Sequence, residues 1–362
     1  MREFLIGFVK GSLSGVVPGM HINAIVRSIN EPAGIISAYP AFILSSFILP
    51  IYLYSMNTDI GAVMLPSQRM ALQGRSREAL LLSTSGALFS FMILAIFLPF
   101  MGPFFLFLSS DYIALSAIIL TVLVLFIRQR NRLYGLLIFV LTGFLGIASM
   151  RLPDGLMPML SGFFGVPALL QKGNEVEMPE TTDMRRNRSF LPLMAIPLGV
   201  VAASVKAVTP GTISVFLYLI LRNDEERMLA MGALSGANAI ATMGNFYATG
   251  ALRSGPAVQL ARIEGAVPMH EALFLFLLSA ILSFLLIYTL ADRLGWLYKV
   301  INRVKFLFIA VLALLVFIFS GPAGLFLLAV STTIGILTVR LKARRINCMG
   351  CIIVPAFLGL LR

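Results

Sequence analysis

Two Pro-Gly dipeptides stand inside long apolar stretches of this sequence, Pro18-Gly19 in SGVVPGMHIN and Pro210-Gly211 in KAVTPGTIS. Proline lacks an N–H and glycine tolerates φ > 0, so the pair interrupts a helix and leaves backbone groups without intrahelical partners. Lipid cannot satisfy such groups. They must line a cavity filled by protein or water, and helix N-termini facing it favour an anion. Polar side chains crowd both dipeptides: Ser14, His21 and Asn23 at the first, Lys206, Thr209, Thr212 and Ser214 at the second. A third polar run, GANAIATMGNFYATGALRSGPA at 236–257, adds Asn238, Asn245 and Arg253. Arginine is a permanently charged fork suited to carboxylate or phosphate. Asparagine and exposed carbonyls suit a polar substrate or a cation. The candidate substrate-binding set is therefore Ser14, Pro18, Gly19, His21, Asn23, Lys206, Thr209, Pro210, Gly211, Thr212, Asn238, Asn245 and Arg253.

Plainer roles compete for several of these. Ser14 and Ser214 suit simple helix packing, His21 an interfacial hydrogen bond, and Lys206 snorkelling to a membrane surface. Arg253 and its counterpart near Asp59 suit a loop or a salt-bridged pair. No catalytic constellation accompanies them: the sequence has no GxSxG, Walker loop or HExxH. We therefore expect no enzyme, no cofactor and no resident metal. Carboxylates fall mostly in loops, which leaves Na⁺ or H⁺ open as a coupling ion. The only two cysteines, Cys348 and Cys351 in CMGC, lack further zinc ligands nearby and open an apolar run, so they read as small packed hydrophobes.

The elements that would hold these residues are set by composition. Of 362 residues, 59% are hydrophobic and 12% charged, against roughly half and a quarter in a soluble domain. A soluble enzyme is excluded, and runs such as 114–127 and 306–320 are apolar on every face, which fits transmembrane helices and not β-barrel strands. The net charge of +12 comes mainly from short basic loops, which orient a membrane protein; it does not signal nucleic acid. Gly11, Gly15, Pro18 and Gly19 break the N-terminal apolar stretch, which reads as part of the mature chain and not as a cleaved signal.

A repeat organises the whole. Pro18-Gly19 and Pro210-Gly211 are 192 apart, Glu78-Ala79-Leu80 and Glu271-Ala272-Leu273 193 apart, and Val166-Pro167-Ala168 and Val354-Pro355-Ala356 188 apart. Residues 1–170 and 191–362 form two repeats joined by a polar cytoplasmic linker, 171–190. Charge shows their relation. Basic Arg128 to Arg132 corresponds to uncharged SGPAG (320–324), while the uncharged loop near 102–110 corresponds to Arg293, Lys299, Arg303 and Lys305. If basic loops face the cytoplasm, the halves are inverted. Ten crossings follow: 33–54, 79–101, 111–127, 133–150 and 155–170, then 228–250, 272–290, 306–320, 325–339 and 349–361. Segments 4–28 and 191–221 remain as re-entrant Pro-Gly hairpins, and both termini lie outside. The expected fold class is an all-α polytopic membrane protein of two inverted repeats, each of about five transmembrane helices plus one such hairpin.

The Pro-Gly hairpins, PSQRMALQGRSREALLLSTSGAL, GFFGVPALL, CIIVPAFLGL and GANAIATMGNFYATG together resemble the TctA permeases, the large membrane subunits of tripartite tricarboxylate transporters, and most of all their shorter archaeal relatives. The resemblance implies an ion-gradient-driven carboxylate carrier, with a small membrane subunit and an extracytoplasmic binding protein as family partners. It places Pro18, Gly19, Pro210 and Gly211 in re-entrant substrate loops and Asn238 in an Asn-containing span. A second resemblance, of the paired loops alone, is to polyprenyl-phosphate translocases, in which Lys206 and Arg253 would meet a lipid phosphate. The expectation is thus a multi-pass cell-membrane permease for an anion, carboxylate or lipid phosphate, surrounded by lipid and not bound to nucleic acid. A homodimer and accessory subunits are left open.

Overall fold

The computed structural model describes residues 1–17, 20–52, 64–127, 131–152, 155–170, 190–206, 208–263, 267–343 and 345–360. These are helical, with no strand among them. The helices are α1 (Arg2–Val16), α2 (Ile22–Ile25), α3 (Pro32–Ser45), α4 (Ile48–Tyr52), α5 (Met64–Leu72), α6 (Ser76–Phe97), α7 (Gly102–Leu108), α8 (Asp111–Ile127) and α9 (Arg132–Ser149). After them come α10 (Leu156–Leu160), α11 (Val166–Leu170), α12 (Ala195–Ser204), α13 (Pro210–Ile220), α14 (Asp224–Thr249), α15 (Gly255–Arg262), α16 (Met269–Leu290), α17 (Gly295–Arg340) and α18 (Gly350–Leu360). A π-helical turn, Ser161–Gly165, joins α10 to α11.

Five stretches among the described residues are long and apolar enough to cross a membrane: Pro32–Tyr52, Ser76–Phe100, Arg132–Ser149, Met269–Leu290 and Arg303–Arg340. With so many apolar helices the protein is polytopic. The last stretch holds two helices, not one. Gly321 sits at φ 65°, ψ −165°, a conformation glycine adopts without a Cβ penalty, and Pro322 restarts the helix where no N–H is needed. Gly324 faces the side chain of Val316, eight residues earlier and about 12 Å away in a straight helix. The chain therefore doubles back at SGPAG, as expected for a turn between 306–320 and 325–339.

Two expectations are corrected. Residues 102–110, read as a loop, contain α7, which meets α8 at a 61° bend; its FFLFL run gains more from helical burial than a loop could offer. The glycines of the N-terminal stretch do not break it. Gly7, Gly11 and Gly15 share one face of a continuous α1, packed against Gly34, Ala38 and Phe42 of α3. A spacing of four residues clears that face for close backbone approach, as in small-xxx-small membrane interfaces. Because the contacts rise together along both helices, α1 and α3 run parallel, so residues 17–31 carry the chain back. Lys10 Nζ donates to the Ser28 carbonyl at 2.9 Å across that return.

The second half repeats this geometry. Gly199 of α12 faces Leu234 and Ala237 of α14, and Asn245 further along α14 donates to the Ala203 carbonyl, so these two also run parallel. Pairs then cross between halves: α14 packs on α6, α3 on α16, α9 on α18, and the 156–170 segment on α17. Gly232 and Gly236 meet Ser83 and Ala87, while Gly143 and Gly350 meet Val354 and Phe139. At the N-terminal ends of α6 and α14, Arg75 pairs with Glu78 and Glu225, and Arg69 with Asp224. Glu78 first, and Glu225 with it, raises the Arg75 guanidinium above the ordinary arginine value. The side chains form one large core around α3, α6, α12, α14 and α16, and a smaller one around α9, α10, the later part of α17 and α18.

Candidate functional site

On either side of Pro18-Gly19 the described residues form helices α1 and α2, and Pro210-Gly211 begins α13 after a break that follows α12. Val17 leaves α1 in an extended conformation, and Val205 leaves α12 the same way. Both breaks face one cavity of about 760 Å³ between the two cores. Met20, His21 and Asn23 enter it from the first break, and Val208, Thr209 and Pro210 from the second.

Of the residues singled out in the sequence, His21, Asn23, Thr209, Pro210, Asn238 and Arg253 line this cavity. His21 Nδ1 accepts the Asn23 N–H at 3.2 Å, capping α2, and its ring packs edge-on against Phe42. Asn23 Oδ1 accepts the Gly255 N–H at 2.9 Å, which ties the first break to the start of α15 in the other half. Arg253 follows Gly250, whose φ of 74° ends α14. Its guanidinium Nη1 donates to the Ser204 carbonyl at 3.0 Å and Nη2 to that of Val205. With Asn245 on Ala203, this accounts for carbonyls that a broken helix end leaves over. Arg253 is therefore at once the cap of α12 and a cavity cation, and the loop pairing with Asp59 falls on a residue outside those described.

The other candidates lie elsewhere. Ser14 is fully buried and donates to the Gly11 carbonyl. Asn245, also buried, accepts from Thr249 Oγ1. Gly211 is buried in the first turn of α13, away from the cavity lining, and Thr212 shares that turn. Lys206 is half exposed and pairs with Asp111 at the start of α8. Pro18 and Gly19 are outside the described residues.

The cavity also contains residues that sequence reasoning passed over. Arg27, Gln259 and Arg262 line it, and Gln259 donates to the Ile29 carbonyl at 3.2 Å. Partial burial, then the neighbouring Arg262, lowers the Arg27 guanidinium. Arg27 could have been found by the rule applied to Lys206, since it is a lone cation within an apolar segment. No carboxylate occurs among the described lining residues. The same cavity also has an apolar wall, which includes Met150, Leu156, Met157, Phe164, Phe319 and Ile352.

A family model described as the tripartite tricarboxylate transporter TctA family matches residues 3–350. The chain belongs to this family. It is accordingly a multi-pass membrane permease of the tricarboxylate-transporter type, and TctA membership places it in a family of transporters. This TctA-family chain is also 22% identical to the uncharacterized protein MJ1079 of Methanocaldococcus jannaschii, over 99% of this chain and 98% of the relative. No solved structure matches it.

Proposed function

We propose that the chain is a secondary active carrier of an organic anion, a carboxylate, that works by alternating access and draws on an ion gradient. One observation carries the reading: breaks from both halves line a single cavity whose described charged side chains, Arg27, Arg253 and Arg262, are all cationic. Clustered positive charge lining a cavity attracts an anion and disfavours a cation. The α13 N-terminus at Pro210 adds partial positive charge on the same side.

Reciprocal packing supports the inverted repeat. The pair α14 on α6 has α3 on α16 as its counterpart, and α9 on α18 has α17 on the 156–170 segment; Gly232 and Gly236 meet Ser83 and Ala87 in rising order, so α14 and α6 run parallel, as inverted halves require. The parallel course of α1 with α3 and of α12 with α14 supports re-entry, because each first helix must return before its partner starts. On the topology set by the basic loops, Arg27, Arg253 and Arg262 face outside, so the cavity is open outward. Alternating access then consists of the polar face moving against the mainly apolar wall.

Uptake into vesicles containing the purified protein tests the transport reading, with di- and tricarboxylates and a polyprenyl phosphate supplied in turn under Na⁺ or H⁺ gradients. Carboxylate uptake that depends on one gradient is expected; translocation of the polyprenyl phosphate alone overturns the reading. Lys206→Gln serves as a control and should retain uptake within about fivefold of wild type, since an exposed ion pair contributes about 1 kcal/mol or less. Topology has its own test. Single cysteines placed at Arg130 and within 320–324 should label from opposite faces of the membrane, and labelling from one face would rule out inversion.

A further inference from the structure

Arg345 and Asn347 lie in the tight turn between α17 and α18, 7% and 0% exposed. Among the described residues, Arg345 Nη1 and both polar atoms of the Asn347 side chain have no hydrogen-bond partner. Among the described residues Arg345 also has no ion pair. Buried polar groups are ordinarily satisfied, and a buried cation without an anion is the costliest exception. Packing does not account for the pair, since aliphatic side chains would fill the same space without that cost.

Their position in the repeat does. The cavity is open beside Met150, Met157 and Leu160. The offset of 188 residues that relates Val166-Pro167-Ala168 to Val354-Pro355-Ala356 carries these three to Thr338, Arg345 and Cys348. Thr338 and Cys348 are fully buried and touch each other at 3.5 Å. In an inverted repeat the two halves exchange conformations during transport, so what is open in one is closed in the other. The same offset takes Ser161 and Phe164 to Met349 and Ile352, which line the open cavity themselves, so the shut part of the equivalent wall is at Thr338, Arg345 and Cys348, with Asn347 next to Cys348 on the basic, cytoplasmic side.

We propose that Arg345 and Asn347 form a second anion-binding station, sealed in this outward-open form and uncovered to the cytoplasm when the chain faces inward, where it receives a carboxylate group of the departing substrate. The inference rests on the carrier reading. A guanidinium and a carboxamide supply the donors a carboxylate needs, and the orphaned atoms are those left waiting in the closed form.

Native Cys348, three residues beyond Arg345, is the reporter, with Cys351→Ala removing the other thiol. Inside-out and right-side-out vesicles are treated with a membrane-impermeant maleimide, with and without a mixture of citrate, succinate and malate, and uptake of the same acids is measured in parallel. Cys348 should label from the cytoplasmic face only, and the acids should slow labelling at least about tenfold. Arg345→Gln and Asn347→Ala should lose that protection while still labelling without acids, and Arg345→Lys should keep part of it. Uptake accompanied by a Cys348 that reacts only after denaturation, or from outside, or without protection, overturns the station and leaves the carrier standing. Absence of both uptake and protection overturns both.

Discussion

Replacing Arg253 with glutamine should cut carboxylate uptake at least about a hundredfold, the larger of two losses expected from single substitutions. Arg253 donates to the carbonyls of Ser204 and Val205 and faces the cavity. Removing one partner of a buried charged contact costs roughly 3–5 kcal/mol, and each 1.4 kcal/mol is a factor of ten in affinity. Glutamine reaches at most one of the carbonyls and supplies no charge to the substrate. Arg253→Lys restores the charge but not the fork, so partial uptake should return. Near-wild-type uptake by Arg253→Gln would mean that the anion binds elsewhere. A detergent melting curve run beside the assay separates loss of the α12 cap from loss of the substrate contact.

Gly232→Val should prevent the two halves from docking. A Cβ at Gly232 falls against the Ser83 backbone carbonyl of α6, an obstacle that no side-chain rotation removes. Overpacking of this kind costs about 1–3 kcal/mol, occasionally more, and it acts on the α6–α14 seam between the repeats. The variant should melt at a lower temperature in detergent and lose its monodisperse peak on size exclusion. Gly359→Ala makes the fitting comparison, because nothing lies within 4 Å of a Cβ there; it should behave as wild type. An unchanged melting curve for Gly232→Val would show that the helices separate at that point without penalty.

Much of the architecture was legible because lipid imposes simple demands. Runs of apolar residues mark helices, and a Pro-Gly dipeptide inside such a run interrupts one whatever surrounds it, so the breaks near 18 and 210 were readable. Their meeting at one cavity was not visible in composition; it depends on how α1 and α12 lie against α3 and α14. Lys206 shows the limit of reading one segment at a time. Its partner Asp111 is 95 residues away, so a cation that seemed stranded in an apolar hairpin is an ordinary ion pair at the start of another helix. Arg253 was readable as a cation but not as the cap of α12, since the carbonyls it satisfies precede it by about fifty residues. The apolar wall was hidden for the opposite reason: Met157, Phe164 and Ile352 look like any core residues, and only a cavity across from them gives them a role. Gly11 and Gly15 suggested a broken helix until α3 was seen to occupy the groove they leave with Gly7.

That groove also sets an order of events at the ribosome. The α1 helix has 15 residues, too few to span the roughly 30 Å of hydrocarbon, and its glycine face has no partner until Phe42 and Ser45 have been synthesised. Alone, α1 cannot fill the depth of the bilayer. Its glycine face is filled only once α3 offers the complementary backbone, so α1 takes its place after a part of the chain that follows it.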